Sequence, residues 1–504
     1  MTKALPIMIQ GTHSDAGKSV VTTGLCRIFH QDGYKTAPFK SQNMALNSYI
    51  TIDGKEIGRA QGVQAEAACV EATTDMNPIL IKPNSENHSQ IVVHGKPYQN
   101  MKATSYRQDF YQTGLKIIED AYRRLETEFA RIVIEGAGSP AEVNLNDREL
   151  VNMRVARMAN SPVILVGDIE KGGVFASLVG TLALLEEEDR NRVIGVIINK
   201  FRGDLSLLQP GLEWFEHYTG KKVLGVIPYV HNLNIDAEDS VILANYSTKE
   251  DITKDIDIAV IRYPMISNFT DVDPFFAEHD CHVRFVRTVK DLGEPDLIIF
   301  PGSKNTIEDL QFLKETGLAK GILKLMQRKQ TKIIGICGGY QMLGKKISDP
   351  LRIETTLGAS DGLCLLPVET VITKEKMTVL SEGIILYNNQ SYPVKGYEIH
   401  MGQSKHDGIS FIQLQGRQDG CQAVDGKVIG TYFHGLFHND QFRHAYLNEI
   451  RKEKGLDPMT KRVFVNELRE QAFDLLADHI RNHVDLSYIY EKMEQFQVNE
   501  KPYA

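Results

Sequence analysis

Ten short runs rich in Val, Ile and Leu recur along the chain, separated by stretches with helical periodicity. None shows the polar alternation of a half-buried strand, so each reads as a strand covered on both faces. In the first half they fall at 5–10, 131–135, 162–167, 193–199 and 223–228. In the second half they fall at 256–261, 283–286, 297–300, 333–336 and 428–432. Strands that alternate with helices build parallel α/β sheets, and ten of them exceed one ordinary sheet. The expected fold class is therefore two α/β domains of parallel sheet with a helical C-terminal tail. A chain of 504 residues is long enough for each domain to bury its own core.

The break between the domains is expected at 230–252, where a polar, irregular stretch opens at His231 and closes with Thr248-Lys249-Glu250-Asp251. The expected domains are 1–232 and 252–445, followed by a helical extension over 446–504. In that extension Leu468, Ala472, Leu475, Leu476, Ile480 and Val484 form an apolar stripe at helical spacing. The stripe predicts packing, and the second domain is the nearest surface for it.

The net charge of −8 argues against nucleic acid as a partner, because phosphate backbones are bound by clustered Lys and Arg. No apolar stretch has the length of a membrane span or the pattern of a signal peptide. The cysteines Cys26, Cys69, Cys281, Cys337, Cys364 and Cys421 are scattered, with no C-x-x-C pair. Free thiols suit a reducing compartment, so the expected location is the cytoplasm. Oligomeric state is not legible.

Residues 10–19, QGTHSDAGKS, follow a strand and precede a helix-like run containing Val21, Leu25, Ile28 and Phe29. This is the context of a phosphate-binding loop, in which backbone N–H groups and a helix start cradle phosphate and a lysine adds a point charge. Gly11, Thr12 and Gly17 would shape the loop, Lys18 would reach the β- and γ-phosphates, and Ser19 would ligate Mg²⁺. Five residues rather than four separate Gly11 from Gly17. Glu135 ends a buried strand, where an acid is costly unless paired or metal-bound, so it is the second candidate ligand of Mg²⁺. Lys40 follows a short strand and is placed either to neutralise a phosphoryl group in flight or to sit solvated at the surface. Asn199 closes another strand, and Asp147 lies in a loop; each is a candidate ligand-binding group or a simple turn residue.

Residues 333–343, IIGICGGYQML, read as strand, cysteine, two glycines and helix. A tight strand-to-helix turn of this kind exposes a nucleophile, here Cys337, and makes the Gly338 N–H available to an oxyanion. Gly302 and Ser303, in the turn that ends another strand, are candidate second donors. A thiolate needs a base. His434 in Gly430-Thr431-Tyr432-Phe433-His434-Gly435 is preferred over His400, and what orients its ring stays open between a bare dyad and a group such as Glu398.

The longer phosphate loop resembles that of dethiobiotin synthetase. The segments Ala37–Met44 (APFKSQNM), 58–61 (GRAQ), 64–68 (QAEAA), 75–78 (DMNP), 135–142 (EGAGSPAE), 167–176 (GDIEKGGVFA) and 199–204 (NKFRGD) resemble the cobyric acid synthase family, over nearly the whole chain. The Cys337 elbow and His434 resemble the class I glutamine amidotransferases, although Leu436 stands where many of these carry glutamate. The resemblance implies ATP and Mg²⁺ as cofactors, glutamine as nitrogen donor, and amidation of the b, d, e and g carboxylates of adenosylated cobyrinic acid a,c-diamide. It also implies that Asn199 reads adenine and that Gln42, Asn43 and Asp147 contact the corrinoid. Two rival readings remain at this stage: an a,c-diamide synthase acting on other corrinoid carboxylates, and a ParA/MinD-like nucleotide switch with a decayed amidotransferase domain. The latter group carries an early loop lysine, where this chain has Thr12 and His13.

Overall fold

The structure, a computed structural model, describes residues 3–84, 88–230, 248–328 and 331–498. The chain divides into two compact units. The first comprises Met1–Ala45, Glu56–Glu238 and Arg469–Ala504, and the second comprises Leu46–Lys55 and Asp239–Leu468. The expected break at 230–252 lies for the most part outside the described residues.

The first unit is built on a six-stranded, wholly parallel sheet. Its order is Lys222–Pro228, Val193–Phe201, Val163–Asp168, Leu5–Gly11, Arg131–Glu135 and Thr36–Phe39. Leu5–Gly11 is buried at every position, as the unbroken apolar run predicts. Its carboxyl end delivers the chain to Lys18–Gln31, a helix that buries Val21, Leu25, Ile28 and Phe29. A smaller sheet of Gln42–Met44, Ile79–Pro83, His88–Val93 and Lys96–Lys102 completes the unit.

The tail expectation is corrected from Arg469 onward, which belongs to the first unit, while the stretch up to Leu468 stays with the second. Phe473, Leu476, Ala477 and Ile480 of the helix Val465–His483, with Ile489 and Met493 of Leu486–Val498, share one core with Leu25, Ile28 and Phe29. Arg27 reaches Asp474 at 2.8 Å and Glu470 at 2.9 Å, and Asp485 N–H donates to Leu224 O at 2.8 Å. The apolar face of the helix after the phosphate loop needs a cover, and the tail supplies it. Leu475, expected within the stripe, is instead exposed.

The second unit holds another six-stranded sheet in the order Cys281–Val286, Ile256–Ile261, Leu297–Phe300, Lys332–Ile336, Val428–Thr431 and Cys421–Gln422, parallel except for the last edge. Beside it a long hairpin, Val368–Tyr387 with Gln390–His406, forms an antiparallel sheet that also pairs with Phe433–His434. Among the described residues no helix is long and apolar enough to cross a membrane.

Candidate active sites

In the first unit the phosphate loop occupies the carboxyl end of the central strand. Gly17 adopts φ 102°, and a Cβ there would lie 1.9 Å from Asn199 Nδ2, so both backbone conformation and space require glycine. Thr12 N–H donates to Val166 O at 3.0 Å, tying the loop to the neighbouring strand. Lys18, with its side chain folded across the loop, donates to His13 O at 3.0 Å and Gly138 O at 3.1 Å. A group that holds two carbonyls beside the loop is an ammonium ready to transfer those bonds to phosphate oxygens.

Glu135 is the centre of the arrangement. Ser19 Oγ donates to its Oε1 at 2.9 Å, Lys40 Nζ to Oε1 at 2.8 Å, and Gln64 Nε2 to Oε2 at 2.6 Å. The carboxylate is 1 % exposed and Lys40 5 %, which excludes the solvated alternative for Lys40. A buried acid is retained here because it is paired and fully hydrogen-bonded. The hydroxyl of Ser19 and the carboxylate of Glu135 are adjacent hard oxygen donors, a set that fits a magnesium ion completing its shell with phosphate oxygens and water.

Asn199 donates its amide to Ala16 O at 3.0 Å, so it braces the phosphate loop from the end of its strand. Next to it Lys200 pairs with the buried Asp168 at 2.8 Å. Gln42 accepts from Tyr106 O–H at 2.5 Å, whereas Asn43 is 3 % exposed and donates to Gln61 Oε1. Asn43 is thus held from the interior by Gln61. Asp147 is exposed and pairs with Arg107 at 2.6 Å, in the loop that runs on from Glu135. Tyr106 and Arg107 lie in a single π-helical turn, Tyr106–Phe110, that joins this loop to Gln42.

In the second unit Cys337 sits between strand Lys332–Ile336 and the short helix Gly338–Leu343 with φ 53° and ψ −108°. A non-glycine residue held there stores roughly 1–3 kcal/mol of backbone strain, maintained by the surrounding bonds. Those bonds are Cys337 N–H to Thr431 O at 2.8 Å and Gly339 N–H to Pro301 O at 3.1 Å. A Cβ on Gly339 would lie 2.0 Å from Phe300 O, which explains the second glycine of the turn. Space around Gly338 is equally tight: a Cβ would lie 2.8 Å from Ser303 N, so the two turns lie side by side. A Cβ on Gly302 would lie 2.7 Å from Ser267 O and 3.5 Å from the His434 ring, so glycine keeps this turn close to the base.

His434 is fully buried. Its Nδ1 lies 2.7 Å from Asp271 Oδ2, while Asp271 Oδ1 accepts from Gly435 N–H at 2.7 Å. Burial opposes a charged imidazole, but the Asp271 carboxylate and the adjacent Cys337 thiol outweigh it and push His434 up to about 10. With Nδ1 committed to Asp271, Nε2 is the ring nitrogen available to Cys337. The group that orients His434 is therefore Asp271, and both the bare dyad and Glu398 are set aside. Glu398 is instead held by Ser381 and Arg417 and lies 3.8 Å from His400 Nε2. His400 stacks on Tyr432 at 3.7 Å and directs Nδ1 to Gly402 O at 2.8 Å, away from the base role. Asp271 was missed because Asp271 and Asp273 stand two residues apart in an irregular segment, Asn268–Phe276 (NFTDVDPFF), with no spacing that singles out either.

Residues 7–242 match the family described as CobQ/CobB/MinD/ParA nucleotide binding domain, and residues 257–442 match the CobB/CobQ-like glutamine amidotransferase domain. The chain is similar to a cobyric acid synthase of Geobacillus sp. (strain WCH70), 66% identical over 499 residues that cover 99% of each chain. It is also 66% identical to one from Anoxybacillus flavithermus (strain DSM 21510 / WK1) over 501 residues, 99% of each chain. A third, from Geobacillus thermodenitrificans (strain NG80-2), is 60% identical over 499 residues, 99% of this chain and 100% of that protein.

Proposed function

The chain belongs to the cobyric acid synthase family, a family of glutamine-hydrolysing ligases that use ATP, and from that premise we propose that it amidates the b, d, e and g carboxylates of adenosylated cobyrinic acid a,c-diamide. The observation that carries this reading is the coexistence, in one chain, of a complete Cys337–His434–Asp271 set and a phosphate loop with Glu135 at its floor.

In the second unit His434 holds, as imidazolium, the proton that Cys337 has given up, and Sγ attacks the side-chain amide carbon of glutamine. Gly338 and Ser303 N–H groups, with Gly302 shaping the turn, receive the oxyanion. The C–N bond breaks, the imidazolium returns its proton to the leaving nitrogen, and ammonia departs. Water then opens the thioester to glutamate. Asp271 holds the imidazole tautomer and stabilises its charged form throughout.

In the first unit a corrinoid carboxylate oxygen attacks the γ-phosphorus of ATP, and ADP leaves. Lys18 and Lys40 bring positive charge to the transferring group. Ser19 and Glu135 would hold magnesium, which when bound would supply charge neutralisation on the phosphate oxygens. Ammonia attacks the acyl phosphate and inorganic phosphate departs, leaving the amide. Asn199 braces the loop, and Gln42 and Asp147 belong to the face that receives the acceptor. The free thiols and the use of ATP fit a cytoplasmic address.

Relatives named cobyric acid synthase at 66% identity weigh against the a,c-diamide synthase reading, and the intact triad weighs against a nucleotide switch with a decayed amidotransferase. The direct experiment is incubation with ATP, Mg²⁺, glutamine and the a,c-diamide, followed by mass analysis of the corrinoid. Four successive exchanges of hydroxyl for amino are expected. An unchanged corrinoid would remove the assignment.

A further inference from the structure

The ten residues Leu46–Lys55 lie in sequence inside the nucleotide-binding half, yet they belong to the second unit. Within that unit they touch the glutaminase centre from two sides. Ser48 N–H donates to Asn268 Oδ1 at 2.8 Å in a fully buried bond. Ile50 forms an apolar cluster with Tyr397 and Ile399.

Both contacts lead directly to the reacting groups. Asn268 has φ 50°, the left-handed conformation that opens the turn Phe269–Val272. That turn carries Asp271, whose two oxygens hold His434 Nδ1 and Gly435 N–H. On the other side Tyr397 lies flat on His434, ring centroids 4.9 Å apart and planes 10° from parallel. Ile399 O lies 3.4 Å from Cys337 Sγ. The excursion closes on itself through Thr51 N–H to Lys55 O and an Asp53–Lys55 ion pair, with Gly54 at φ 73° making the turn. It is a formed hairpin with its buried edge committed to these two walls.

We propose that Leu46–Lys55 is a positioning element of the glutaminase centre. Ser48, through Asn268, sets the turn that presents Asp271 to His434, and Ile50 sets the wall on which the imidazole rests. A hydrogen bond to the Asn268 side chain fixes a residue whose backbone conformation decides where Asp271 points. A misplacement of that carboxylate changes the charge and the aim of His434 while leaving the glutamine-binding surface intact.

This inference rests on the glutaminase reading of Cys337 and His434. The test uses the full-length protein. Asn268→Gly keeps the left-handed conformation at no steric cost and removes only the acceptor for Ser48 N–H. Glutamate release should fall roughly 10–100-fold in kcat, the loss expected for a catalytic group displaced by an ångström. The glutamine KM should stay near that of wild type. The basic limb of the pH profile should move to lower pH, because a loosened Asp271 no longer raises His434. Ile50→Ala should give the same pattern, and amidation from ammonium salt should be unchanged in both. Wild-type kcat and pH profile in both variants would overturn the proposal, as would parallel loss of glutamine- and ammonia-dependent amidation. A wild-type protein that released no glutamate at all would instead overturn the glutaminase reading.

Discussion

Asp271 Oδ2 stands 2.7 Å from His434 Nδ1, with both residues at most 2 % exposed, and this pair converts the Cys337 elbow into a triad. Asp271→Asn keeps the shape and removes the charge. Glutaminase activity should fall by about 10²–10⁴-fold, the span that general acid–base assistance contributes. Amidation from ammonium salt should persist, since the acyl phosphate forms in the other unit. Glutamate release and ammonia-dependent corrinoid amidation, measured side by side, check this.

The same pair sets a pH dependence. His434 is pushed up to about 10 against an ordinary value of 6.5. A group whose proton affinity rises on folding stabilises the fold fully below its unfolded value and loses that contribution as pH rises through the folded one. Denaturation midpoints of the wild type should therefore decline between about pH 6.5 and 10 relative to Asp271→Asn. An identical pH dependence in the two proteins would contradict the charged imidazole.

Glu398 gives the opposite slope. Burial raises its pKa, but His400, Arg417 and Ser381 outweigh that and hold it down to about 2. Its stabilisation is present above the ordinary value of 4.5 and is lost as pH falls through about 2. Glu398→Gln should remove this acid-side loss without moving the basic limb of glutaminase activity, because Glu398 does not orient His434. Acid denaturation curves and a rate–pH profile read the two effects separately.

At the phosphate site, Glu135→Gln removes the charge that neutralises the buried Lys40, and breaking a buried pair from one side costs about 3–5 kcal/mol. The double variant Glu135→Gln, Lys40→Met should recover much of that stability. Neither should amidate at the wild-type rate, and the single variant should need more Mg²⁺. Thermal unfolding together with ADP release distinguishes the structural loss from the chemical one.

Phe473 tests the tail. It is fully buried in the core of the first unit, and truncating a buried phenylalanine costs about 3–5 kcal/mol. Phe473→Ala should make ammonia-dependent amidation fail at a lower temperature while glutamate release keeps its thermal limit. The reverse order would return the tail to the amidotransferase unit.

These contrasts show what the sequence carried and where it stopped. Buried parallel strands such as Leu5–Gly11 and Lys332–Ile336 announce themselves because nearly every position is apolar or small, Gln10 and Lys332 being the exceptions. Gly17, Lys18 and Cys337 are legible because a phosphate loop and a nucleophile elbow impose residue types at fixed local spacing. Long-range pairings impose no such spacing. Asp271 and His434 are 163 positions apart, and nothing near Asp271 marks it over Asp273. The hairpin Val368–Tyr387 was missed because Lys374, Glu375 and Lys376 interrupt its alternation. The tail stripe was read correctly as a packing face, but an amphipathic helix states only that it needs a partner, and the partner lay at the far end of the chain.

The central claim is that two chemistries are divided between two units and joined by ammonia. Cys337→Ala tests it most directly, assayed with the a,c-diamide, ATP and Mg²⁺, once with glutamine and once with concentrated ammonium salt at a pH that supplies NH₃. Glutamine-dependent amidation should fall to background while ammonia-dependent amidation and its coupled ATP consumption continue at the wild-type rate. Wild-type use of glutamine by Cys337→Ala, or loss of both activities together in a folded protein, would contradict the account.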